Sequence, residues 1–289
     1  MTNKWEVCRA AWIRRLALCF LVVGFVLGPP ALQAQHRPLQ TDDPELLGAG
    51  KLRLQVGFEL LQDQTFSLSG LEGDLTRLGL LGLFVGAGQH VEFQITGSLL
   101  NTFNIERQFQ GFLSNLNLSQ NSTNSVGDFT LASKFKLLPE RASTPALSFR
   151  FGVELPNASN EKGLGNDETN FYASLLLGKS VGRFRSYFNV GLAILGDPTE
   201  LSAQNDLFTY GVATTYTINP LWTLVAEING RTGPGGPGTD DQSQFRLGTQ
   251  LRTGNLRWDL AGVAGFAADD PDSGIVFGVT YELQAFKIP

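Results

Sequence analysis

The chain has 289 residues, 22 basic against 27 acidic side chains, two cysteines and one methionine, and is rich in glycine and phenylalanine. A net charge of −5 with no basic patch excludes a nucleic-acid binder, because such affinity depends on neutralising phosphates. No heptad or long amphipathic stripe is present, which excludes an ordinary helical protein.

Residues 1–34 read as a secretory signal peptide. Lys4, Arg9, Arg14 and Arg15 give a positive start, Leu16 to Leu27 an apolar run, and Ala31-Leu32-Gln33-Ala34 a small-residue end. A run of about twelve apolar residues is too short for a membrane helix, since the hydrocarbon core is roughly 30 Å thick. Cleavage after Ala34 removes Cys8 and Cys19, so disulfides, a cysteine nucleophile and thiolate metal sites are excluded. It also removes four basic residues and one acidic one, leaving a mature net charge of about −8. Residues 35–50 follow as an N-terminal periplasmic segment or a possible plug.

From Lys51 onward the pattern has period two. Leu52, Leu54, Val56, Phe58 and Leu60 alternate with Lys51, Arg53, Gln55, Gly57 and Glu59. Phe129, Leu131, Phe135 and Leu137 alternate with Thr130, Ala132, Lys134 and Lys136, and Leu147 to Leu155 alternate in the same way around Arg150 and Glu154. Ile275, Phe277, Val279, Tyr281 and Leu283 close the series. Successive strand side chains face opposite ways, so each segment has one apolar and one charged face. Residues 75–85 are apolar on both faces and their sidedness stays open.

Short turns are expected near residues 86–90, 139–145, 181–183, 219–220 and 253–255. Long polar loops are expected near 62–74, 101–125, 156–168, 196–205, 230–241 and 267–272. Segments of about ten residues with strictly alternating connections favour a membrane barrel over a soluble sandwich with Greek-key crossovers. Six long loops and five short turns predict an all-β, twelve-stranded, antiparallel up-and-down transmembrane barrel over residues 51–289, with short periplasmic turns and long extracellular loops. Both termini then lie in the periplasm. Phe184, Trp222, Trp258 and Tyr281 fall at one height near the short turns and suit a membrane-interface girdle.

By parity the lumen receives Arg53, Glu59, Lys134, Lys136, Arg150, Glu154, Arg185, Glu227, Arg246, Arg252, Arg257, Asp259 and Glu282. Such charges either pair across a filled interior or line a narrow conduit and set its selectivity. Catalysis has little support: His36 lies in the N-terminal segment and His90 in a short turn, so no histidine reaches the outward loops. The carboxylate-rich loops (Asn166-Asp167-Glu168, Asp240-Asp241 and Asp269-Asp270-Asp272) suit solvation or weak calcium binding better than acid–base work. The run 233–238 lacks the Lys and Ser/Thr of a phosphate loop.

Several segments resemble an outer-membrane family named for the meta-cleavage pathway of phenol degradation, whose members are described as transporters. They are Thr41-Asp42-Asp43-Pro44; Gly127-Asp128-Phe129 through Lys134-Phe135-Lys136-Leu137; and Gly152-Val153-Glu154-Leu155-Pro156 with Gly163-Leu164-Gly165. Lys179-Ser180-Val181-Gly182 and Asn189-Val190-Gly191 fit its hairpin pattern. The resemblance covers roughly residues 126–196 and implies uptake of small aromatic or hydrophobic molecules. The last strand resembles a barrel-assembly signal at Gly278, Tyr281 and Leu283, although Val276 and the extension 284–289 depart from it.

The expectation is therefore a monomeric outer-membrane channel or transporter without cofactor, metal or catalytic centre. Its partners would be outer-membrane lipids, the barrel-assembly machinery and a small-molecule solute. A sealed structural or adhesive barrel with binding loops is the alternative, and an outer-membrane hydrolase a third reading.

Overall fold

A computed structural model describes residues 37–118, 121–200 and 203–287. The signal peptide, its cleavage site and His36 lie outside the described residues. The strands are β1 (Lys51–Phe66), β2 (Leu71–Gly86), β3 (Val91–Gln108), β4 (Ser122–Ser125), β5 (Phe129–Leu138), β6 (Ala146–Leu155) and β7 (Asn170–Val181). They continue with β8 (Phe184–Gly196), β9 (Gln204–Thr217), β10 (Trp222–Thr232), β11 (Gln242–Thr253), β12 (Leu256–Gly265) and β13 (Ser273–Gln284).

Twelve of these form a continuous antiparallel ring. Each pairs with its sequence neighbours, β3 pairs with β5, and β1 closes on β13 with Lys51 opposite Gln284 and Gln62 opposite Ser273. Closure removes every unpaired edge, which a sheet in lipid requires. The thirteenth strand, β4, is a four-residue piece that pairs with the far half of β3. The outer surface carries the apolar members of each alternation, among them Leu54, Val56, Phe58, Val190, Leu192, Leu224, Ile228 and Leu260, all exposed. A closed barrel with this apolar outer band is an outer-membrane fold.

Two expectations change. The loop expected over 62–74 is a continued hairpin: Leu61 opposes Leu75, Phe66 opposes Leu71, and only residues 67–70 turn. Its polar residues read as loop, yet they extend the ladder beyond the apolar band; Asp63, at φ 53°, absorbs one extra residue as a bulge. Likewise β3 runs on to Gln108, so the loop expected over 101–125 is confined to 109–121 before β4.

The ambiguity of residues 75–85 has a structural cause. Between Phe58–Leu78 and Gln55–Gly82 the β2 strand holds one residue more than β1, and Gly79 sits there at φ +62°. This glycine bulge reverses the sidedness of β2. Phe84 and Gly82 face inward on one side of it, and Arg77 and Leu75 on the other. Opposite Gly79, β3 shifts phase too: Ser98 and Phe103 are buried while Leu99 and Leu100 are both exposed.

Candidate functional site

Residues 37–50 do not hang free below the barrel. They lie against the inner wall, held by hydrogen bonds and ion pairs from at least seven strands. Gln250 on β11 donates to the Arg37 carbonyl at 2.7 Å. Glu227 on β10 accepts from the backbone N–H of Gln40 and Thr41, both at 2.8 Å. Arg185 on β8 grips Asp43 at 2.8 Å, Ser148 on β6 donates to the Pro44 carbonyl, and Glu92 on β3 accepts from the Leu47 N–H. Lys134 on β5 donates to the carbonyls of Asp43 and Glu45 at 3.0 and 2.9 Å, while Arg150 meets Asp42 at 3.3 Å and Lys136 meets Glu45 at 2.9 Å.

The wall is shaped to receive this segment. A Cβ at Gly178 would stand 2.6 Å from Pro44, and one at Gly211 would stand 2.7 Å from Thr41, so both positions need the bare backbone. Leu39 packs with Tyr187, Ala213 and Val225. The acidic run Asp42-Asp43-Pro44-Glu45 thus lies along β5–β8 and spends its charge on Lys134, Lys136, Arg150 and Arg185.

The opposite wall is arranged differently. Arg53 on β1 pairs with Glu282 on β13 at 2.6 Å. Glu59 on β1 is shared by Arg77 from β2 and Arg246 from β11, each at 3.0 Å; β12 and β13 intervene between β11 and β1, so Arg246 bridges the lumen. Asp259 and Arg257 are buried on β12. Between the segment and this wall lie two cavities. One, of about 410 Å³, opens at the short-turn end and is lined by Lys51, Arg53, Arg252, Arg257 and Glu282. The other, of about 270 Å³, lies at mid-height against Arg37, Glu59, Arg77, Phe84, Arg150 and Arg246.

Consecutive inward residues of β1, Arg53 and Gln55, belong to the first and second cavity respectively, so the two adjoin along that strand. Between them Gln55 donates to Thr280 at 3.3 Å and Arg257 donates to the same hydroxyl at 3.3 Å. Arg37 Nη1, Arg53 Nη1, Arg257 Nε and both Asp259 carboxylate oxygens are buried here without a hydrogen-bond partner among the described residues. Buried polar atoms are nearly always satisfied, so this charged constriction, the throat, is closed to solvent and a costly feature of the wall.

Toward the long loops the interior turns apolar. Leu61, Leu71, Leu75, Phe103, Ala261, Val263 and Val276 form one cluster, and Leu164 from loop 156–169 inserts into it with Leu116 and Leu118 from loop 109–121 packed alongside. Asp128 anchors the first of these loops by accepting from the N–H groups of Asn157 and Ala158.

All thirteen charged residues selected by parity point inward, but they divide into three groups. Lys134, Lys136, Arg150, Arg185 and Glu227 hold the N-terminal segment. Arg53, Glu59, Arg246, Arg252, Arg257 and Glu282 border the cavities, and Asp259 lies at the throat. Glu154 is separate, hydrogen-bonded to Asn170 and Tyr172 near the loop end. Sequence reasoning missed Glu92, Gln94 and Thr96 on β3, although they alternate cleanly with Val91, Phe93 and Ile95. Arg77 was hidden by the phase reversal at Gly79. Phe184, Trp222, Trp258 and Tyr281 are all outward near the short turns, with Phe184 on Tyr216 at 4.8 Å and Trp258 on Phe277 at 6.3 Å.

The acidic loops are occupied with themselves. Asp240 accepts from Ser67, and Asp270 accepts from the N–H groups of Ser243, Phe266 and Ala267. Burial, then the charges of Asp240 and Asp270, push the Asp269 carboxyl above its ordinary range. Among the described residues no group of three or more His, Cys, Asp or Glu side chains is placed to hold a metal ion. His90 stands exposed in the short turn 87–90.

A closed twelve-stranded barrel, apolar outside and charged within, defines an outer-membrane β-barrel protein. Residues 35–281 match the family described as "MetA-pathway of phenol degradation", and the chain belongs to that family. Its fold is similar to that of an outer-membrane channel from Pseudomonas putida F1, with 14% identity, a TM-score of 0.62, and coverage of 85% of this chain and 100% of that one. The NanC porin is also similar, at 11% identity and a TM-score of 0.50, over 80% of this chain and 100% of the porin. No curated protein matches the sequence. The family motif Thr41-Asp42-Asp43-Pro44 and the motif containing Lys134 and Lys136 meet in space, as the two sides of the segment–wall contact.

Proposed function

We propose that this protein is a monomeric, non-catalytic conduit that carries small molecules across the outer membrane along the β1/β11–β13 wall, with the N-terminal segment as its plug. The observation that carries this reading is the pair of adjoining cavities, about 410 and 270 Å³, which meet consecutive inward residues of β1, Arg53 and Gln55, on either side of the closed throat. The short-turn end faces the periplasm in this reading, with Phe184, Trp222, Trp258 and Tyr281 at the membrane interface. Small aromatic or hydrophobic molecules are the solutes that the family description favours, and the apolar cluster at the loop end gives them a compatible entrance. Among the described residues the one histidine, His90, stands exposed in a short turn rather than in a long loop, which supports a non-catalytic role.

A sealed barrel is the second reading, because the plug and the apolar cluster narrow both ends. Single-channel conductance and liposome swelling on refolded protein separate the two. The conduit gives measurable flux, and Arg252→Glu at the periplasmic cavity shifts the reversal potential toward cation preference. Absence of flux both from the intact protein and after deletion of residues 37–46 would leave only the sealed barrel.

A further inference from the structure

Resting on the conduit reading, we propose that the mid-height cavity is a binding site for a small carboxylate carried on a single apolar ring. Its charge is the first argument. Arg37, Arg77, Arg150 and Arg246 border it, against only Asp42 and Glu59. Asp42 is engaged by Arg150, and the two oxygens of Glu59 are taken by Arg77 and Arg246. Glu227, the next carboxylate, accepts from Gln40 and Thr41 and stands 3.7 Å from Arg246 Nε. Arg77 makes one carboxylate contact while its side chain remains one-third exposed. The other acids of the plug are bound to the far wall. The cavity therefore offers guanidinium N–H groups beyond those its carboxylates use, above all on Arg77, and a planar donor fork matches a carboxylate.

Shape is the second argument. Leu39, Leu80, Phe84 and Val276 are the apolar lining of the same cavity. Its volume of about 270 Å³ exceeds the roughly 150 Å³ that encloses benzene. One ring with a carboxylate fits. The apolar side runs without a break into the cluster at the loop end, because Leu80 and Val276 belong to both. The basic side leads the other way, past Arg257 and Arg53 to Arg252 and Lys51 at the periplasmic cavity. A ring would thus enter along the apolar surface and its carboxylate would leave along the basic one.

The test measures binding of benzoate, benzamide and acetate at pH 7 to the full mature chain refolded in detergent. Benzoate keeps ring and charge, benzamide the ring alone, and acetate the charge alone. Benzoate is expected to bind at least about tenfold more tightly than either. Arg77→Gln is expected to abolish the preference for benzoate over benzamide, and Arg77→Lys to restore part of it. Gel-shift heat modifiability shows that each variant has closed its barrel. Equal affinities for the three probes on the unaltered protein, or a benzoate preference that survives Arg77→Gln, would overturn the site. Liposome flux is read separately: a benzoate preference without flux upholds the site and fails only the conduit, whereas flux without any preference overturns the site.

Discussion

Lys134 shows how much one inward side chain carries. It is fully buried, donates to two carbonyls of the plug, and lies 3.3 Å from the equally buried Glu92. Desolvating two charges is expensive, and their pairing is what makes the cost tolerable. Replacing one partner leaves the other uncompensated, which typically costs about 3 kcal/mol or more. Lys134→Met is therefore expected to lower the urea midpoint of unfolding and to increase conductance fluctuations, because two plug carbonyls lose their donor. Unchanged noise with a lowered midpoint would confine Lys134 to wall stability. Its inward direction was legible in the alternation with Phe135 and Leu137. Its partner was not, because Asp43 and Glu45 belong to a segment with no periodicity, and only the fold brings them within reach.

At the scale of strands, alternation works wherever a strand keeps one phase from end to end, as β6, β12 and β13 do. It fails at β2, where the chain changes phase midway, and that failure concealed Arg77. A bulge needs one residue in an unusual conformation, and Gly79 among several leucines was its sole local sign. Gly79→Val is predicted to destabilise the barrel by about 1–3 kcal/mol, since a side chain at φ +62° is strained and its Cβ would stand 3.0 Å from Leu99. Denaturant titration in detergent checks this, and an unchanged midpoint would mean that the strand can shift register without loss. Connection lengths were legible for most hairpins because apolar segments end where lipid ends. The expected loop 62–74 misled because β1 and β2 continue into water, where polar side chains no longer mark a strand's limit.

For the whole molecule, polarity changes along the axis: an apolar cluster at the loop end, an amphipathic cavity at mid-height, a charged throat, then a basic mouth. Leu164 belongs to the first of these and to the most mobile type of element, a long loop. Leu164→Asp is expected to expel that loop from the barrel and raise single-channel conductance; an unaltered conductance would place the cluster off the solute path. The plug adds a condition of another kind. It is joined covalently to β1 at Lys51, so it meets Arg150 and Arg185 as an intramolecular ligand. A short tether corresponds to an effective concentration on the order of millimolar. On this reading the contact is independent of how much protein the membrane contains, and a free anion of equal intrinsic affinity competes for those two arginines only when its own concentration approaches that level. On the conduit reading, the length and charge of fourteen residues (37–50) set the level at which the plug yields.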